Sequence, residues 1–102
     1  MLSESRIATT EASTYIRQLC KHFAHKVTAE YTETHGRVQF DGGVCDMYAE
    51  PDTLVFKVEA ADAETVTILQ SVVDRHLEKF DHRKTLAIGN WQNSEDASPT
   101  PA

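Results

Sequence analysis

Apolar residues recur every three to four positions in two long segments of the chain, with the period of an amphipathic helix. Thr10 and Asp62 precede these segments, and their side-chain oxygens are suited to cap free N–H groups of a first helical turn. The sequence therefore predicts one helix from Ala12 to about Lys26 and a second from Asp62 to about Phe80. Their apolar stripes are Ala12, Tyr15, Ile16, Leu19, Cys20, Phe23 and Val27, and then Val66, Leu69, Val73, Leu77 and Phe80.

Between the helices the pattern changes to alternation of apolar and polar residues, which is typical of half-buried strands. Turns are expected at His35-Gly36, at Asp41-Gly42-Gly43 and over residues 50–53, because glycine and proline favour turn conformations. Strands are predicted at 27–32, 37–40, 44–49 and 54–60, with one more at 6–9 before the first helix and a last one at 85–91.

These elements follow the order β-α-β-β-β-β-α-β. The short connections between the middle strands allow an antiparallel meander, and two amphipathic helices must cover an apolar sheet face. We therefore predict an α+β two-layer sandwich, with a mainly antiparallel sheet and both helices on one face, as a single domain over residues 1–91. Residues 92–102 are polar, include two prolines, and are predicted to form a disordered tail.

The charge of the chain restricts its partners. Ten Lys and Arg face sixteen Asp and Glu, which gives a net charge of −6. Nucleic acids and anionic membranes are bound through Lys and Arg, so we expect neither as a partner. The chain has no apolar stretch long enough to span a membrane, and its first residues do not resemble a signal peptide. We expect a cytoplasmic protein with both cysteines as free thiols.

Four segments of the chain follow a pattern known from one bacterial family. They are Tyr15–Lys26 (YIRQLCKHFAHK), Gly43-Val44-Cys45, residues 60–64 and residues 73–80. Over about residues 5–91 the chain resembles domain of unknown function 2218, an uncharacterised family whose members more often begin the first helix with an acidic cap and a proline. The resemblance implies no established activity. It implies a context of iron or siderophore handling, with a siderophore-interacting flavoprotein as a partner.

Cys20, His22, His25, Cys45 and His76 are the candidates for a metal or redox site, because thiolate and imidazole are ligands of zinc and other transition metals. Cys20 and His22 lie about 200° apart on a helix, so Cys20 cannot share one ion with both nearby histidines. His22 and His25 do share a face. A pair of Cys20 with Cys45, reached by His76, is a more compact alternative. The same residues also have a structural interpretation, as buried small apolar thiols and as cations at a helix end.

Other candidate residues support specific chemistry less well. Trp91, Tyr15 and Tyr31 are able to line a ligand pocket, although aromatic residues of a small domain usually belong to its core. His35 and His82 are interpreted as exposed loop residues. The sequence contains no glycine-rich phosphate loop and no nucleophilic serine motif, so we predict no catalytic residues.

Three functions remain open. The first is a non-enzymatic accessory or binding module, linked to iron or siderophore handling. The second is a metal- or redox-active protein that uses Cys20, Cys45 and a histidine, with a transition metal as cofactor. The third is a dimerising interaction domain. Its homodimer contact would be the apolar ridge of Ile68 and Val72 on the second helix, which Arg75 and Lys79 extend.

Overall fold

The apolar stripes and the alternating segments build one helical layer and one sheet. The computed structural model describes residues 1–94. The predicted α+β class and the element order are confirmed. In chain order the elements are β1 (Leu2–Ala8), α1 (Ala12–Phe23), β2 (Thr28–Tyr31), β3 (His35–Phe40), β4 (Gly43–Glu50), β5 (Thr53–Ala60), α2 (Ala63–Phe80) and β6 (Trp91–Ser94).

The six strands form one antiparallel sheet in the order β2-β3-β4-β5-β1-β6. The predicted meander covers β2 to β5, while β1 lies between β5 and β6. The register places Cys45 opposite both Val38 and Val58, and Val58 opposite Ser3. These residues share one face of the sheet and are fully buried under the helices.

Both helices bury their apolar stripes against this inner face. The core includes Ile16 and Leu19 from α1, Val73 and Leu77 from α2, and Phe56 from β5, all of them inaccessible to solvent. Burying an aliphatic or aromatic side chain of this size stabilises the fold by about 1.5–3 kcal/mol. The helical layer is therefore held by the two stripes that the sequence pattern predicts.

Gly36 lets α1 approach the sheet closely. It lies in β3, so the turn predicted at His35-Gly36 is wrong. A Cβ atom at this position would lie 2.8 Å from Cγ2 of Ile16 and 2.9 Å from Sγ of Cys20. The turn lies instead at residues 32–34, before β3, where the hydroxyl of Thr32 accepts the N–H of His35. Gly36 is therefore required by the packing of α1 on the sheet, and not by a turn as predicted.

The ends of α1 differ from the prediction. The N-cap residue is Glu11 rather than Thr10, and its side chain makes no capping hydrogen bond. The helix ends at Phe23 instead of continuing to Lys26. The N–H groups of Lys26 and Val27 both donate to the carbonyl of Phe23, at 2.9 Å each. This tight turn directs the chain into β2.

The end of α2 determines the path to the last strand. At its start, Asp62 caps the helix as predicted and accepts the N–H of Thr65 at 2.8 Å. At its end, the buried carboxylate of Asp81 accepts the N–H groups of Thr85 at 3.2 Å and Leu86 at 3.1 Å. These bonds hold the chain in a loop, so the strand predicted at 85–91 is wrong.

The last strand, β6, begins at Trp91 and occupies the first residues of the predicted tail, whose remainder lies outside the described residues. Polar contacts attach it to the rest of the fold. The indole N–H of Trp91 donates to both carboxylate oxygens of Asp74 at 3.0 Å. The amide of Gln70 donates to the hydroxyl of Ser3 at 2.7 Å and to Asn93 at 2.8 Å. Hydrogen bonds therefore hold much of this edge of the sheet.

The outer face of the sheet carries no helix from the described part of the chain. Ion pairs cover it, with Arg6 2.7 Å from Glu50 and Arg37 3.2 Å from Asp46. Val55 points to this face and is nevertheless only 2% exposed, because the long side chains beside it cover it. Among residues 1–94, no helix is both long and apolar enough to cross a membrane.

We expect Gly36→Ala to lower the free energy of unfolding by about 1–3 kcal/mol, because the new methyl group overpacks the contact with α1. Urea denaturation followed by circular dichroism measures this change. The matched control is a double-mutant cycle with Cys20→Ala, which removes one of the two atoms that the methyl group would meet. The double variant should be more stable than the sum of the single changes predicts. Strictly additive changes would contradict the proposed contact.

Candidate functional site

Cys20 on α1 and Cys45 on β4 are buried in the core. Their exposed fractions are 1% and 0%, and both are free thiols. Burial raises the pKa of Cys20 to about 11. Burial also raises the pKa of Cys45, with smaller contributions from the negative charges of Asp46 and Cys20. The predicted burial of both thiols on facing elements is confirmed, and neither takes part in a disulfide bond. Both remain protonated at neutral pH, whereas a metal ligand or a nucleophile must be a thiolate.

His22 and His76 meet at the surface between the two helices. Their ring centroids are 4.9 Å apart and the rings are tilted by 51°. Nδ1 of His76 lies 2.7 Å from the carbonyl oxygen of Val72, to which it donates, so Nε2 keeps its lone pair. Loss of hydration lowers the pKa of His22, and repulsion from a protonated His76 and from Lys79 lowers it further. His22 is therefore neutral at neutral pH.

The five candidate residues do not form one site. Cys20 and Cys45 lie in the core, His22 and His76 form a surface pair, and His25 is exposed in the turn after α1. In the part of the chain that the structure describes, no group of three or more His, Cys, Asp or Glu side chains is placed to hold a metal ion. The metal or redox function stays a prediction.

A concave region of about 390 Å³ lies between the first turns of α1 and the segment that follows α2. We call it the α1–α2 cleft. Its floor consists of half-buried side chains and its rim of exposed polar ones. The floor contains Thr14, Tyr15, Gln18, Phe80 and Leu86, and the rim contains Thr10, Glu11, His82, Arg83 and Thr85.

Charges of both signs surround the cleft. Burial raises the pKa of Tyr15, as do Asp81 and Glu11, while Arg83 opposes them. The phenol thus stays protonated and is available as a hydrogen-bond donor. Asp81 directs its carboxylate to backbone N–H groups of the loop. Among the lining residues, Arg83 carries the one permanent positive charge and Glu11 the one carboxylate.

The three aromatic residues predicted as pocket candidates do not come together. Tyr15 lines the α1–α2 cleft, Trp91 lines a separate concavity beside Asp74, and Tyr31 is 41% exposed on β2. The sequence analysis missed Arg83 as a site residue. The run Asp81–Lys84 could have indicated it. In this run a carboxylate that can accept loop N–H groups is followed directly by basic residues.

His35 is not a loop residue as predicted. It begins β3, its Nε2 atom lies 3.0 Å from a carboxylate oxygen of Asp46, and its ring stacks on Tyr48 with centroids 4.9 Å apart. These contacts belong to the outer face of the sheet. They lie apart from the cleft, whose lining residues come from β1, from α1, and from α2 and the segment after it.

The ridge predicted for a homodimer is only partly exposed. Ile68 is 53% exposed, but Val72 is half-buried and packs against the core. One exposed aliphatic side chain is common on monomeric proteins. The homodimer therefore stays a prediction.

We expect both thiols to react slowly with a bulky disulfide reagent in the native protein and rapidly after unfolding, because burial suppresses both access and thiolate formation. Absorbance of the released thiol at neutral pH, with and without denaturant, measures the rates. Val44→Cys, at a half-buried position that faces the other side of the sheet, serves as the reactive control. Native labelling of Cys45 as rapid as that of the control would refute the burial.

We expect stability to decrease as the pH falls below about 6.5, because the unfolded chain binds a proton at His22 more readily than the folded chain does. The contribution of His22 to the free energy of unfolding is complete above the pKa that His22 has in the unfolded chain. It is lost as the pH falls through the lower pKa that His22 has in the folded protein. His22→Gln should show a smaller loss of unfolding free energy between about pH 7.5 and 5.5. The exposed His25→Gln should retain the wild-type dependence. Equal pH dependence of His22→Gln and wild type would count against this explanation.

Comparisons with known proteins agree with this fold. The chain is similar to the NMR structure of PA4090 from Pseudomonas aeruginosa, with 32% sequence identity and a TM-score of 0.77. The similarity covers 93% of this chain and 98% of that one. No curated protein matches the chain. The family described as uncharacterised protein conserved in bacteria matches residues 4–92, which contain both helices and four complete strands. The chain therefore belongs to this bacterial family, DUF2218.

Proposed function

We propose that this protein is a non-enzymatic binding module whose ligand occupies the α1–α2 cleft. The observation that carries the proposal is the combination of a half-buried aromatic floor with an arginine at the rim of one concavity of about 390 Å³. Small-molecule sites typically have volumes of about 300–1,000 Å³, with apolar walls and a few polar groups that orient the ligand.

We infer a small aromatic ligand with one negatively charged group, which Arg83 would bind at the rim. Tyr15 and Phe80 offer ring surfaces for a flat apolar body. Arg83 offers a guanidinium that binds a carboxylate or phenolate through paired hydrogen bonds. The raised pKa keeps the phenol of Tyr15 protonated, which suits it to donate a hydrogen bond and not to act as a base. These groups bind and orient a ligand.

The link to iron or siderophore handling rests on the family resemblance. An anionic aromatic chelating group, such as a catechol carboxylate, offers a ring for the aromatic floor and a carboxylate for Arg83. We also propose a siderophore-interacting flavoprotein as a partner, and a homodimer through Ile68 and Val72.

We expect 2,3-dihydroxybenzoate to shift the backbone amide signals of Thr10, Tyr15 and Arg83 in a ¹⁵N-labelled sample, because this probe carries both an aromatic ring and a carboxylate. Neutral catechol should shift them less at the same concentration. Arg83→Gln should weaken binding of the carboxylate about tenfold, through loss of a charge-assisted hydrogen bond.

The matched control is Arg75→Gln, an exposed arginine on α2 that does not line the cleft. It should bind the probe as the wild type does. Signal changes confined to other surfaces, or equal weakening by both arginine variants, would refute the cleft as the binding site.

A further inference from the structure

We propose that His22 and His76 together bind one divalent transition-metal ion of the class that prefers imidazole ligands, such as copper(II), nickel(II) or zinc(II). The ion would lie at the surface between α1 and α2. This donor set differs from the thiol-based set considered above, and the proposal does not depend on a ligand in the cleft.

The separation of the two rings fits a shared ion. Metal–nitrogen bonds to histidine are about 2.0–2.1 Å long, and the ring centroid lies roughly 1.1 Å beyond the nitrogen. Two imidazoles on one ion at a tetrahedral angle therefore have centroids about 5 Å apart. The observed centroid distance is 4.9 Å. The centroid distance therefore allows a shared ion once side-chain rotation turns one free nitrogen of each ring toward it.

The hydrogen bond of His76 prepares its free nitrogen for a metal. Nδ1 donates to the carbonyl of Val72 at 2.7 Å, which fixes the ring and leaves Nε2 with its lone pair. Metal-binding histidines almost always donate their second ring nitrogen in this way. His22 makes no ring hydrogen bond to another residue in the range 1–94, so its nitrogens are also free to bind.

The surroundings of the pair are partly apolar and partly cationic. Phe23 packs against His76, and Phe80 against His22, with ring centroids 4.7 Å and 6.1 Å apart. Lys79, His25 and Lys26 add positive charge near His22. This charge weakens the binding of a bare metal cation. It favours binding of an ion whose remaining coordination positions hold anionic ligands. Because only two protein ligands are present, those positions are open to water or to a chelating molecule.

The two thiols are not required for this site. Cys20 points into the core, where its Sγ atom lies 3.7 Å from the carbonyl of Glu30, and Cys45 is fully buried. The proposal therefore predicts metal binding that survives replacement of both cysteines by alanine, provided that the variant folds. A thiol-based site predicts the opposite result.

The test uses protein without a histidine tag, titrated with copper(II) and followed by electron paramagnetic resonance and calorimetry. We expect one site per chain, with a spectrum that shows nitrogen ligands. His22→Gln should weaken binding roughly tenfold or more, since removal of even a residue that supports a ligand costs 10–100-fold. The control His25→Gln, which removes no ligand, should not weaken binding.

Since His22 is exposed, its replacement tests the proposal without disturbing the core. His76→Gln provides the second test, with circular dichroism as the check that it folds. Long-range ¹H–¹⁵N spectra of the wild type with zinc(II) should show the ring nitrogens of both histidines shifting together. Absence of copper binding, unchanged affinity in His22→Gln, or an equal loss in His25→Gln would overturn the proposal.

Discussion

The contact of α1 with Gly36 of β3 determines how the helical layer sits on the sheet. Because the glycine has no side chain, Ile16 and Cys20 reach the inner face at van der Waals distance from the strand. This seating fixes the rotation of α1 about its axis. Residues on the flank of the same helix, including Tyr15 and His22, are then directed toward α2.

The cleft and the histidine pair are consequences of one helix–helix junction. Phe80 belongs to both, since its ring lies in the floor of the cleft and also 6.1 Å from the ring of His22. A small molecule in the cleft and an ion at the histidines would therefore occupy neighbouring parts of one groove. Any change in the distance between α1 and α2 would affect both places at once.

Local pattern predicted the fold class because the two helical stripes and the alternating strands are each complete within a short segment. It did not predict the place of β1 beside β5, since strand order depends on contacts between residues far apart in the chain. It also placed the last strand too early. Leu86 and Ile88 alternate as strand residues do, but Asp81 binds the N–H of Leu86 and keeps the segment in a loop.

In the candidate site, too, local features could be predicted from the sequence and contacts between distant residues could not. Helix geometry correctly separated Cys20 from His22, because both positions lie on one helix. The pairing of His22 with His76 depends on how two helices are rotated relative to each other. The periodic pattern within one helix does not determine this rotation. The cleft was missed because Arg83 reaches it only through the loop that Asp81 shapes, and the sequence analysis treated that run as the end of a helix.

The polar attachment of β6 has a consequence for the edge of the sheet. Ser5, opposite Trp91 in β1, is buried, and its hydroxyl finds no hydrogen-bond partner among the described residues. A four-residue strand over such a surface separates at a lower free-energy cost than the longer strands of the meander. Its departure would expose the N–H and C=O groups along β1, and such an open edge is a template for pairing with a foreign strand. The four residues of β6 thus cover the N–H and C=O groups of the first half of β1.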